Sequence, residues 1–409
     1  MKKKLIVLSV FLLATTIYFV FYHKDNTFTI APVDADVIVL VDAKKFTRQY
    51  IYHFATHPSR WFEDKNKNTI SLKESGVKIP DFLQVFHLKN SKFSDWYSVF
   101  ELNDEQKFTA FLKQQRYLDQ GNNVFKRNQT FIKLLDKNCI VGTSDSGFAS
   151  ITDQLFWSSR NNILAADELI THGLGTVVLF NAENGSQSLS IHLNADEIEI
   201  KNNSDSYDPP LIISKLQRTK PFLEAKLDKE NIRKFTSFFY KTLSDSSYIT
   251  YFKVAVELEQ VNDTIVTYGY DDNFNEVEKK SIQKIIQPNY VFALKSSNIE
   301  KTQRYFRDKK WINAQNQFTA IPFQPNLIKE TKTGFHIQST GKQISLPTVN
   351  GNYIFVRNNA FLSSSFKSLT AAEKKIISGL DYIFYGNNDQ NYYLKLKFKK
   401  EELPLILRW

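Results

Sequence analysis

An unbroken apolar run, Leu5 to Tyr22, follows lysines at positions 2–4 and constrains the chain more than anything after it. It holds no charge, proline or glycine, and its polar residues Ser9, Thr15 and Thr16 can bond their own helix backbone. Eighteen residues at about 1.5 Å each span roughly 27 Å, close to the thickness of a hydrocarbon core. Tyr18, Phe19, Phe21 and Tyr22 gather at its distal end, where aromatic rings favour the interface. The run is too long for a typical signal-peptide core, and Ile17 to Lys24 offers no pair of small residues for cleavage. The sequence therefore predicts a cytoplasmic basic tail (1–4) and an uncleaved single-pass anchor (5–22), with the membrane as first partner. The lysine bias places everything beyond on the far side of that membrane.

Cys139 is the only cysteine, so no internal disulfide can form. An exported body of this size with one thiol points to a bacterial inner-membrane protein whose body is periplasmic or extracellular. Cys139 sits in the apolar stretch Asn138–Gly142, a setting for a packed thiol rather than a reactive one. The net charge of +10 is spread along the body in short clusters. That distribution describes a solvated lysine surface and gives no nucleic-acid face.

Beyond a stalk (23–35), one unit recurs: an apolar strand, a polar cap and an amphipathic helix. Val37–Val41 leads to Asp42 and the stripe Phe46, Tyr50, Phe54; Trp96–Leu102 leads to Asp104, Phe108 and Leu112. Phe222–Leu227 leads to Asp228 and Ile232, and Tyr290–Leu294 to Ser297 with Glu300 as a capping box. Lys-Phe-Thr recurs at 45–47, 107–109 and 234–236, in register with the first three caps. A second correspondence follows each half. Strands near 124–143 precede a helix around 148–157 and the hairpin 176–180 with 188–193. In the second half, strands near 318–321, 334–338, 343–346 and 353–356 precede a helix at Thr370 and the hairpin 382–385 with 392–398.

The expected fold class is thus α+β: two related domains (36–204 and 220–409) joined by a linker (205–219). Each is expected to hold a mainly antiparallel sheet with helices packed on one face. The second carries an extra hairpin, Thr250–Leu258 with Thr264–Tyr270. After it, Asp271–Asn275 caps a helix bearing Val277, Ile282 and Ile285.

Catalytic signatures are missing from the sequence. His53 and His57 share a helix face, but Phe54 stands where a zincin needs its glutamate. Ser281–Lys284, Ser296–Asn298 and Lys332–Gly334 follow the motif order of penicillin-recognising enzymes, compressed into about fifty residues. That spacing leaves no room for the helical domain those folds insert. Neither metal ligands nor cofactor-binding residues are assigned. The candidate ligand-stacking aromatics are Trp61, Trp96, Trp157 and Trp311. The expectation is a non-enzymatic binding or scaffold protein with an envelope protein or glycan as partner. The alternative is an envelope hydrolase or glycan-modifying enzyme whose site assembles from distant residues.

Overall fold

The computed structural model describes residues 15, 18, 21–25, 28–61, 74–158, 161–181, 185–202, 208–233, 248–272, 274–321, 326–365, 370–388 and 391–408. The expected anchor lies almost wholly outside these. Among the described residues no helix is long and apolar enough to cross a membrane. The chain is a sheet-rich α+β fold in two units, residues 1–203 with 400–409, and residues 204–399.

The first unit holds β1 (Phe28–Pro32), β2 (Ala35–Asp42), α1 (Ala43–Thr56), β3 (Phe82–Leu88), β4 (Trp96–Glu101) and α2 (Glu105–Gln114). There follow β5 (Leu118–Asp119), β6 (Val124–Arg127), β7 (Thr130–Leu135), β8 (Asn138–Gly142) and α3 (Phe148–Thr152). Last come β9 (Asn161–Ala165), α4 (Ala166–Leu169), β10 (Gly175–Asn181), β11 (Gly185–Leu193) and β12 (Glu197–Lys201). The apolar run Val37–Val41 becomes the middle of β2, paired with β3 on one side and β10 on the other. Gly175 lies opposite Val41 because a Cβ there would fall 2.2 Å from the Leu40 carbonyl oxygen. Every pairing is antiparallel, in the order β12-β11-β10-β2-β3-β4-β8-β7-β6-β5.

Neighbouring residues of one strand point to opposite faces, and β8 buries both. Cys139 packs with Phe108 and Leu112 of α2, whereas Ile140 packs with Phe148 and Ile151 of α3. Helices therefore cover both faces of this sheet, not one as expected, because its central strands are apolar on both sides. The last ten residues return to this unit. Leu405, Ile406 and Leu407 are buried, the Leu405 N–H donates to the Ala195 carbonyl, and Arg408 pairs with Asp196.

The second unit holds α5 (Pro209–Leu216), β13 (Leu223–Asp228), β14 (Ile249–Tyr270), β15 (Glu276–Ser296), α6 (Ile299–Asp308) and β16 (Gln317–Phe318). It continues with β17 (Asn326–Thr331), β18 (Gly334–Ser339), β19 (Asn352–Arg357), α7 (Ala360–Ser365), α8 (Ala371–Gly379), β20 (Leu380–Asn388) and β21 (Asn391–Phe398). Its order is β21-β20-β19-β13-β14-β15-β18-β17-β16, antiparallel throughout. Set beside the first unit, β13 occupies the place of β2, β14–β15 that of β3–β4, and β18 that of β8. The next three strands, β19, β20 and β21, take the places of β10, β11 and β12.

Several local expectations are corrected. Tyr353–Val356 belongs to β19, the counterpart of β10, so the two halves correspond one strand earlier than the sequence suggests. Gln343–Leu346 forms no strand. Pro209–Leu216, assigned to the linker, is a helix capped by Asp208 whose Ile213 and Leu216 pack on Tyr353 and Phe355. Asn298, not Ser297, caps α6, accepting from the Lys301 N–H at 3.0 Å. No helix follows Asp271–Asn275: Val277, Ile282 and Ile285 lie in β15, and the two short strands expected before them are one strand, β14.

The predicted aspartate caps are present. Asp42 accepts from the Lys45 N–H (2.7 Å), Asp104 from Lys107 (2.9 Å) and Asp228 from Asn231 (2.9 Å). Asp228 also accepts from the side chains of Asn231 (3.0 Å) and Asn352 (2.7 Å), tying β13 to β19. Burial pushes its carboxyl up, but these hydrogen bonds outweigh that and hold it below its ordinary value. A lowered folded pKa contributes stability above the unfolded value and loses it as pH falls through the folded one. Asp228→Ala is expected to cost the second unit about 1–2 kcal/mol at neutral pH. The gap should narrow as pH falls below the free aspartate value of about 3.9 and on through the lowered folded one; urea melts at neutral and at acid pH check this.

Candidate functional site

The sequence-chosen aromatics do not converge. Trp61 is half-exposed with its indole N–H on the Phe54 carbonyl (2.8 Å), and Trp157 is exposed at the end of the turn after α3. Trp96 packs against His87 and Phe93 beside the β3–β4 turn. Trp311 joins Tyr305 and Phe306 in the second unit's core. Among the described residues no ring contact joins any two of them.

The serine motifs come apart in the same way. Ser281 and Lys284 stand three apart in β15 and so project to opposite faces. Ser296 bonds Thr302 (2.7 Å) and accepts from the Asn298 N–H (2.9 Å), which commits it to the start of α6. His53 and His57 lie with ring centroids 6.1 Å apart and planes tilted by 48°, and His57 Nδ1 lies 2.7 Å from the His53 carbonyl. Burial and the neighbouring His57 lower the His53 pKa. Among the described residues no group of three metal-ligating side chains comes together.

One serine–histidine–carboxylate contact went unnoticed in the sequence. His87 is buried, with Nδ1 2.7 Å from Asp36 Oδ1 and Nε2 3.1 Å from Ser91 Oγ. Its Nε2 also lies 2.9 Å from the Lys92 carbonyl, which can only accept, so this nitrogen carries a proton. The Ser91 hydroxyl donates to the Leu88 carbonyl at 2.7 Å. A general base needs a lone pair aimed at the hydroxyl it activates. Here the imidazole presents N–H to the site, and the trio pins the short β3–β4 turn.

The feature that stands out is the other copy of that turn. β14 and β15 pair with β13 and β18 only through Tyr251–Val256 and Val291–Lys295. Beyond the Glu257–Asn289 pair they run on for thirteen residue pairs, from Leu258↔Pro288 to Tyr270↔Glu276, with no third strand beside them among the described residues. At 3.3 Å per residue this ribbon is about 43 Å long. Its root is fixed: buried Asn289 donates to Glu259 (2.7 Å) and accepts from the Lys342 N–H (3.1 Å), while Lys342 pairs with Glu257. Its tip closes on Asp271, whose carboxylate accepts from the Asn275 N–H at 2.8 Å.

Solvent reaches nearly all of the ribbon beyond the root. Tyr268 is 68%, Tyr270 70%, Ile282 75% and the tip residue Phe274 85% exposed. Phe274 also holds a left-handed backbone, φ 61°, costing roughly 1 kcal/mol for a residue that buries nothing. Tyr268, Tyr270 and Ile282 share one face with Val266, 41% exposed. Among the described residues the ribbon is thus a two-stranded sheet element with large apolar side chains in water.

No protein-family model, curated protein or solved structure matches the chain.

Cys139, 0% exposed, is inert by the same physical reasoning: burial pushes its thiol up to about 12. At pH 8 roughly one molecule in 10⁴ then holds a thiolate. The native protein should resist an aromatic disulfide reagent that modifies Cys139 at once in guanidinium. Rapid reaction without denaturant would show the site open.

Proposed function

We propose that the chain is a single-pass, membrane-anchored binding or scaffold protein of the bacterial envelope. In this account the β14–β15 ribbon is the arm with which it engages an envelope protein. The observation that carries the proposal is the exposure of Tyr268, Tyr270, Phe274 and Ile282 on a ribbon that leaves its sheet after Glu257. The apolar run 5–22 supplies the tether, and the basic flank sets its direction. The shared strand order of the two units supports descent from one duplicated α+β domain. The arm then arose by lengthening a hairpin that stays short in the first copy, where β3 and β4 pair only over Phe86↔Tyr97 and His87↔Trp96.

The hydrolase alternative draws its support from Ser91, His87 and Asp36. It is the weaker one because Ser91 and His87 spend their protons on backbone carbonyls.

The test replaces residues 261–284 by a two-residue turn in the full-length, membrane-embedded protein and compares captured envelope proteins after cross-linking in cells. The arm-shortened protein should reach wild-type level and lose at least 90%, on the order of a tenfold drop, of its specific partner. Retention of the whole wild-type partner set would overturn the assignment of the arm.

A further inference from the structure

We infer that the arm's partner is a second copy of this chain, the two β14 edges pairing antiparallel about a two-fold axis through Val266. This rests on the arm being the binding element. An isolated two-stranded ribbon is marginal in water, and a third and fourth strand stabilise it. The two edges of the ribbon differ in what they would accept. β15 carries Lys279, Lys280 and Lys284 and, at its root, Pro288, residues that block strand addition. β14 has neither lysine nor proline from Leu258 to Tyr270, and its outer part, Thr264-Ile-Val-Thr-Tyr-Gly-Tyr270, is uncharged and rich in strand-forming residues. The open edge is β14.

Charge argues for an identical partner and selects the register. Three lysines against six carboxylates give residues 258–287 a net charge of −3, so the rest of the chain carries +13. In an antiparallel pair each acidic tip, with Asp271, Asp272, Glu276 and Glu278, travels toward the root of the other arm and the basic body behind it. Centring on Thr267 sets Asp271 against Asp263 of the other copy, and centring on Ile265 sets Asp271 against Glu259. Both place like charges directly opposite. Centring on Val266 avoids this. Asp263 then faces Gly269, Thr264 faces Tyr268, Asn262 faces Tyr270, and Val266 meets its own symmetry mate. Thr264, Val266, Tyr268 and Tyr270 all lie on the exposed face of the ribbon. The pairing is isologous, so it closes at two copies.

The test uses full-length protein in lipid nanodiscs and in native membranes. Val266→Cys should give a covalent dimer on mild oxidation, since facing Cβ atoms in such a pair lie about 4.5–5.5 Å apart. Val277→Cys, at a similarly exposed position on β15, should not; buried Cys139 provides the background. Val266→Lys should raise the dissociation constant of the dimer at least tenfold, with the circular dichroism unchanged. A wild-type protein that stays monomeric while arm shortening still abolishes capture of another protein would overturn the homotypic pairing and leave the arm's role standing. If shortening changes neither capture nor oligomeric state, both fall. Efficient cross-linking through Val277 instead of Val266 would overturn the choice of edge.

Discussion

Backbone pairing on both sides of a buried strand is the constraint on which both units depend. A strand as apolar as Val37–Val41 cannot leave its N–H and C=O groups in a dry interior without partners. β2 meets that demand by taking β3 on one side and β10 on the other, and β13 does the same with β14 and β19. The caps sit at the ends of these strands. Asp42 and Asp228 each end a central strand and satisfy the first N–H groups of the helix that follows, so strand and helix are fixed relative to one another by one carboxylate. Faces then fill according to side-chain alternation. Cys139 and Ile140, adjacent in β8, belong to separate clusters under separate helices.

The arm is where this scheme stops applying. Through Val256 and Val291 the two long strands are held by neighbours on either side; past Asn289, among the described residues, they pair only with each other. The change in surroundings is as abrupt as the change in pairing. Val254, Ala255 and Val256 are buried, and a dozen residues later Tyr268 and Tyr270 stand in solvent on the same strand. A hydrogen-bonded cluster of Asn289, Glu259, Lys342 and Glu257 ties down the root, with only Asn289 buried. An arm so built costs the fold little, since its own residues contribute almost nothing to the core.

Legibility in the sequence followed burial. β2, β4, β13 and their caps could be read because one local signal, an apolar run leading to an aspartate, has one structural solution. The both-sided covering of the sheets could not, because clusters formed by Leu112 with Cys139 and by Ile213 with Phe355 join residues far apart in the chain. The arm misled for the opposite reason. With water on both faces nothing forces period-two alternation on Glu276–Ile286, and the spacing of Val277, Ile282 and Ile285 imitates a helix stripe. The four tryptophans could not be told apart because a tryptophan's sequence neighbours do not say whether it is core, like Trp311, or surface, like Trp157. The Ser91–His87–Asp36 contact was hidden because it is the antiparallel pairing of β2 with β3 that brings Asp36 beside His87, 51 residues on.

Hydrogen exchange followed by mass spectrometry, over a hundredfold dilution series of the intact protein, tests the central claim most directly. A ribbon completed only by another molecule predicts that amides of 258–287 exchange fast when dilute and become protected as concentration rises, with β2 and β13 constant throughout. Arm amides equally slow at every dilution would mean that the ribbon is stabilised within its own chain, and would contradict the account.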